Sequence, residues 1–110
     1  MGFTIQDMMI AAEERYRMKY LAGREGWSNS ISWVHLIEDT TIIRNFWGKE
    51  LAVTTGLGFP TEEAMMELAR HLVQRHAAGL IVNTGNYIEE LPESLLAYCE
   101  ENHLPLLTVP

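Results

Sequence analysis

Three short apolar runs, each parted from the next by a helix-length amphipathic stretch, constrain this chain more than any other feature of its sequence. The first two are Leu51-Ala52-Val53-Thr54-Thr55 and Leu80-Ile81-Val82. Between them Met65, Leu68, Ala69, Leu72 and Val73 recur on one helical stripe. Thr61 stands where a helix wants its N-cap, and Glu62 and Glu63 suit the positive end of the helix dipole. This helix is expected to run to about His76, with Gly79 closing it. Pro92 suits the first turn of a further helix, along which Leu91, Leu95 and Cys99 share a face. Leu106-Leu107-Thr108-Val109 is the last strand. Strand, helix and strand, twice over with a shared middle strand, is the grammar of βαβ crossovers. Right-handed crossovers place the three strands side by side and parallel. The class is α/β.

The N-terminal half reads less regularly. Thr4 with Asp7 three places on approaches a capping box, and Ile5, Met8, Met9 and Ala12 follow at helical spacing, so a helix is expected from Thr4 to Tyr16. Arg17 to Ala22 ends at the turn cluster Gly23-Arg24-Glu25-Gly26, and Ile31 to Glu38 reads as a strand. Joined, these two segments predict a hairpin extending the sheet. Asp39 to Gly48 is an irregular or helical turn carrying Phe46 and Trp47. The whole is expected to be one domain, residues 1–110, with a mixed sheet.

Composition narrows the function. Fifteen Asp and Glu against eight Lys and Arg give a formal net charge of -7. That balance argues against direct duplex binding, which is built on cationic contacts to phosphate, and against anionic membrane surfaces. The single cysteine, Cys99, leaves no internal disulfide to form. The opening Met1-Gly2-Phe3-Thr4-Ile5-Gln6-Asp7 lacks a basic start and a long apolar run, and Gln6 stands where a myristoylation signal wants Ser or Thr. A cytoplasmic protein is expected.

Two strands end alike, in Thr54-Thr55-Gly56 and Asn83-Thr84-Gly85. Ligands of open parallel sheets collect beyond the carboxyl ends of the strands. Gly56 and Gly58 would let backbone approach a ligand, and the helix starting near Thr61 offers free N–H groups. A pocket lined by Thr54, Thr55, Gly56, Gly58, Thr84 and Gly85 is the functional expectation; the alternative is that these residues only turn and cap the chain. His35, inside the strand, is either a packed histidine or a ligand contact, and Glu38 beyond it either reaches a ligand or faces water. No metal site or cofactor is expected: His71 and His76 diverge on a helix, and no cysteine pair assists. Adjacent acids such as Glu62-Glu63 and Glu100-Glu101 read as solvated faces, and no hydrolase or transferase constellation stands out.

The segments Trp33-Val34-His35 with Glu38, and Trp47-Gly48-Lys49-Glu50-Leu51-Ala52-Val53-Thr54-Thr55-Gly56, resemble the signature of the N-terminal domain of PucR-like (purine catabolism regulator) bacterial transcription factors. The start Thr4-Ile5-Gln6-Asp7-Met8-Met9 and the close Leu104-Pro105-Leu106-Leu107-Thr108-Val109-Pro110 look like that family's ends. Lys49 departs from the second glycine usual in the motif. The resemblance implies a non-catalytic input domain that senses a small metabolite or assembles, tied to a C-terminal helix-turn-helix absent from this chain. A homodimer is the expected assembly, with Trp47, Phe59 and Tyr87 as candidate interface residues; the alternative is that these aromatics belong to the core. A pure dimerisation domain is one rival. A substrate-binding module of a ligase- or kinase-like enzyme is another, since the Gly48 to Gly56 segment also looks like the small N-terminal domains of Mur ligases and HPr kinase.

Overall fold

The computed structural model describes residues 2–110. A capping box opens helix α1 (Ile5–Tyr16): the Asp7 N–H donates to Thr4 Oγ1 and the Thr4 N–H to Asp7 Oδ2. Four strands and two helices complete the regular order after β1 (Lys19–Ala22): β2 (Trp33–Leu36), β3 (Glu50–Thr54), α2 (Glu62–Gln74), β4 (Gly79–Asn83), α3 (Glu93–Glu101) and β5 (Leu106–Val109). Thr61 caps α2 by accepting the Ala64 N–H, as its sequence predicts. The helix stops two residues short of the expected end, because His76 turns left-handed with φ 57°.

The sheet runs β1-β5-β4-β3-β2. Strands β2 to β5 are parallel, and β1 joins β5 antiparallel. The parallel βαβαβ half is as expected. The hairpin is not: β1 and β2 lie at opposite edges of the sheet. The chain between them, residues 23–32, bonds instead to the start of α1, with Ile5 N–H donating to Asn29 O and Gln6 N–H to Trp27 O. A link that long exceeds the two to five residues usual in a hairpin loop. β2 then reaches β3 through a short helical turn, residues 41–45, and pairs parallel to it.

Alternation along the strands builds two cores. Leu51, Ile81 and Leu107 face α1 and meet Ile5, Met9 and Ala12. Ala52, Leu80, Val82 and Leu106 face the other way, against Met65, Leu68, Leu72, Leu95 and Cys99 of α2 and α3. Each fully buried leucine contributes about 1.5–3 kcal/mol of transfer free energy. The topology also shapes the site. Spatial order follows chain order from β2 to β5, and α2 and α3 share one face. Such a sheet has no point where the strand order reverses, so the crevice that usually receives ligands in doubly wound folds is not generated by the winding itself.

Candidate functional site

The parallel pairing of β2 with β3 sets Leu36 beside Val53, so the chain leaving β2 rises next to the Thr-Thr-Gly segment that ends β3. Glu38 meets that segment. Its Oε1 accepts Thr54 Oγ1 at 3.0 Å and the Gly58 N–H at 2.9 Å. Its Oε2 accepts the Thr55 N–H at 2.9 Å and Thr55 Oγ1 at 2.7 Å. Each threonine hydroxyl also accepts an amide two residues on: Gly56 N–H bonds to Thr54 Oγ1, and Leu57 N–H to Thr55 Oγ1. Four consecutive backbone amides, 55 to 58, thus converge on one carboxylate, two directly and two through a hydroxyl. This is the anion-binding concavity that a turn of successive N–H groups makes, and the protein's own Glu38 fills it. Burial opposes the charge on Glu38, yet the bonds from Thr55, Gly58 and Thr54 outweigh it and hold its carboxyl below the usual range.

Glycine is required around this clamp by close approach. A Cβ on Gly58 would lie 1.5 Å from the Glu38 carbonyl oxygen, and one on Gly56, where φ is 87°, would lie 2.2 Å from Ile88 Cδ1. The loop between β4 and α3 therefore roofs the loop between β3 and α2. Five of the residues expected at the site (Glu38, Thr54, Thr55, Gly56 and Gly58) come together, with their polar groups satisfied by one another.

The other candidates lie apart. Thr84 sits at the tip of β4 on the side of β5, its N–H donating to Val109 O. It lines a cleft of about 210 Å³ with Thr108, Arg17, Lys19 and Pro110. Gly85, at φ 102°, has open space about it. His35 stacks on Phe46 with ring centroids 5.0 Å apart, inside the sheet edge rather than at the rim. Phe59, expected as an interface anchor, belongs instead to the core at 3% exposure, where it packs with the α2 side of the sheet. Trp47 and Tyr87 are exposed, Trp47 at 96%.

Two features escaped the sequence reading. Glu50, buried at the start of β3, accepts the Trp47 N–H at 2.6 Å and the Gly48 N–H at 2.8 Å, which fixes the loop that holds Trp47 out. The only hint was an acid two and three residues after a Trp-Gly pair. At the opposite end of the strands, a cavity of about 350 Å³ is lined by Lys49, His76, His103, Asn29 and Asn102 among others. Lys49, His76 and His103 all have positive φ, at 71°, 57° and 56°. His76 and His103 follow the ends of α2 and α3, where a left-handed residue is the usual helix stop and a basic side chain offsets the negative dipole end. Lys49 accounts for its own irregularity: a left-handed backbone is where glycine fits best, and glycine is the residue usual in the motif it departs from.

Cys99 is buried, and burial pushes its thiol up to about 12, away from the thiolate a nucleophile needs. Among the described residues no group of three His, Cys, Asp or Glu is placed to hold a metal ion. No helix among them is long and apolar enough to cross a membrane.

Fold and site together define a small α/β domain in which Glu38 ties down the tip of β3 and the edge strand β2 is largely exposed. The chain belongs to the purine catabolism regulatory protein-like family, whose model matches residues 9–110. It is 26% identical over 104 residues to the purine catabolism regulatory protein of Bacillus subtilis (strain 168), a match covering 94% of this chain and 19% of that protein. The chain thus spans about a fifth of that relative's length. Its fold also matches the CBS and DRTGG domains of the regulatory region of Clostridium perfringens pyrophosphatase, solved with the activator diadenosine tetraphosphate. That likeness has a TM-score of 0.64 at 12% identity and covers 98% of this chain and 41% of that one.

Proposed function

We propose that this domain is the non-catalytic input module of a bacterial transcription regulator, which passes its occupancy by a small effector to a helix-turn-helix module elsewhere in the parent protein. The observation that carries this reading is the family match over residues 9–110, together with a curated purine catabolism regulator as relative. The surplus of acid supports it, since DNA contact then falls to another part of the parent chain. So do the buried, protonated Cys99 and the fully engaged Glu38, which leave neither residue free for covalent or acid–base chemistry.

The effector is a small polar or acidic metabolite, with purines and their breakdown products first to try. With the tip of β3 filled by Glu38, the receptive part of the rim is the cleft between β4 and β5. There Thr84, Thr108, Arg17 and Lys19 line one concavity, and the Thr84 hydroxyl donates to Val109 O. A ligand held there acts by favouring one of two states of the domain, and the coupling equals its difference in affinity for the two. Calorimetry and thermal melting against purines, their breakdown products and small organic or amino acids test the reading. At least one should release heat and raise the melting temperature, and Thr84→Val should abolish both effects. Absence of both with every compound would count against sensing.

A further inference from the structure

We infer that the free edge of β2 is a self-association surface on which a second copy of this chain pairs antiparallel, joining two five-stranded sheets into one. The inference rests on three observations and is independent of the effector reading. First, β2 is uncovered to a degree no core strand tolerates. Trp33 is 66% exposed, Val34 56% and Leu36 73%, and they lie on both faces of the strand. Trp33 is paired in register with Glu50, the residue whose carboxylate holds the backbone of Trp47. Trp33, Val34 and Leu36 together expose on the order of 400 Å² of largely apolar surface. That is about half of the roughly 800 Å² each partner contributes to a standard interface, so pairing at this edge is a weak, concentration-dependent association.

Second, the two edges of the sheet are treated differently. β1, the other edge, carries the exposed Lys19 and a break in register between Tyr20 and Ala22, both of which obstruct pairing with another strand. β2 carries neither. Its four residues are Trp-Val-His-Leu, and no Asp, Glu, Lys or Arg occurs from Gly26 to Ile37. Among the described residues no strand pairs with the outer side of residues 33–36; just before them the N-terminal segment lies alongside, with Thr4 bridging Ser30 and the Ile31 N–H donating to Phe3 O.

Third, charge selects the occupant. The chain is strongly acidic, so two copies repel wherever their charged faces meet. The β2 edge is the neutral exception. A strand without charges meets itself without conflict across a two-fold axis, whereas a charged partner would find no counter-charge there. Antiparallel pairing about an axis near His35 sets Val34 and Leu36 of one copy beside Leu36 and Val34 of the other, and such apolar cross-strand pairs are stabilising.

Sedimentation equilibrium of the 110-residue chain, up to about 1 mM, tests the inference. The wild type should approach twice its 12.6 kDa mass. Leu36→Lys, at an exposed position, should weaken association by about 100-fold or more while leaving circular dichroism and melting of the dilute monomer unchanged. Leu57→Lys, at another exposed apolar site off this edge, should still dimerise. Acrylamide quenching of tryptophan fluorescence and amide exchange at residues 33–36 give a readout free of any substitution: both should fall as concentration rises. A wild-type monomer throughout the range would overturn the inference and assign the edge to another segment or partner. So would a dimer that Leu36→Lys leaves intact, or one whose residues 33–36 exchange as fast as in the monomer.

Discussion

The Glu38 clamp can be tested by one isosteric change. Glu38→Gln keeps the size of the side chain but replaces one carboxylate oxygen with an NH2 group. Whichever way the amide turns, that group faces donors: Gly58 N–H with the Thr54 hydroxyl, or Thr55 N–H with the Thr55 hydroxyl. One backbone N–H loses its acceptor, the hydroxyl beside it must turn to accept from the NH2 group, and the bonds to the remaining oxygen become neutral. A hydrogen bond to a charged group is worth about 1.5–3 kcal/mol, but Glu38 is partly exposed and water recovers some of the loss. The net expectation is about 2 kcal/mol of destabilisation. For a domain of this size that corresponds to a fall of about 8 °C in melting temperature. The sign of the pH dependence follows from a carboxyl held below its usual range. Its contribution is complete above the unfolded pKa of about 4.3 and is lost as pH falls through the lower folded value. The gap between wild type and variant should therefore be full at neutral pH and close in acid. Urea titrations at pH 7 and at successively lower pH, with amide exchange at Thr55 and Gly58, measure it. A variant within 1 °C of wild type at neutral pH, or a gap that widens in acid, would refute the clamp.

Further expectations follow from single residues. Lys49→Gly should stabilise the domain by about 0.5–1 kcal/mol, because relief of a left-handed lysine exceeds the added freedom of the unfolded glycine; urea unfolding reads it directly. Gly58→Ala, whose Cβ would strike the Glu38 carbonyl, should cost about 3 kcal/mol or more and is best followed by thermal melting. Cys99 should resist an aromatic disulfide reagent at pH 8 until urea unfolds the chain, since its thiol is buried and its pKa raised to about 12.

The parallel half of the fold was legible because each element there carries its own signal. The α2 stripe of Met65, Leu68, Ala69 and Leu72 is the buried face, and Thr61 is the cap. The two edge strands carry no such signal. Nothing local in Lys19–Ala22 says that its partner is β5, at the far end of the chain, rather than the next strand along. β2, exposed on both faces, has no buried side for alternation to reveal. The clamp shows a further limit. Glu38, Thr54, Thr55 and Gly58 were each recognisable as strand-tip residues, but that they bind one another follows only from the parallel register of β2 and β3. A donor-rich loop reads the same in sequence whether its anion comes from solution or from the chain itself. Sequence leaves Phe59 between interface and core for a similar reason. An aromatic in a Gly-Pro turn looks exposed until Gly56 O accepts the Phe59 N–H and the ring enters the core.

The role proposed for the domain is tested most directly on the parent regulator, by measuring its affinity for operator DNA with and without effector, in the intact protein and after removal of residues 1–110. Effector should change the intact regulator's affinity by about 5- to 150-fold, the usual range of coupling between sites, and should leave the truncated protein unchanged. An equal response from both proteins would place sensing elsewhere and contradict the account.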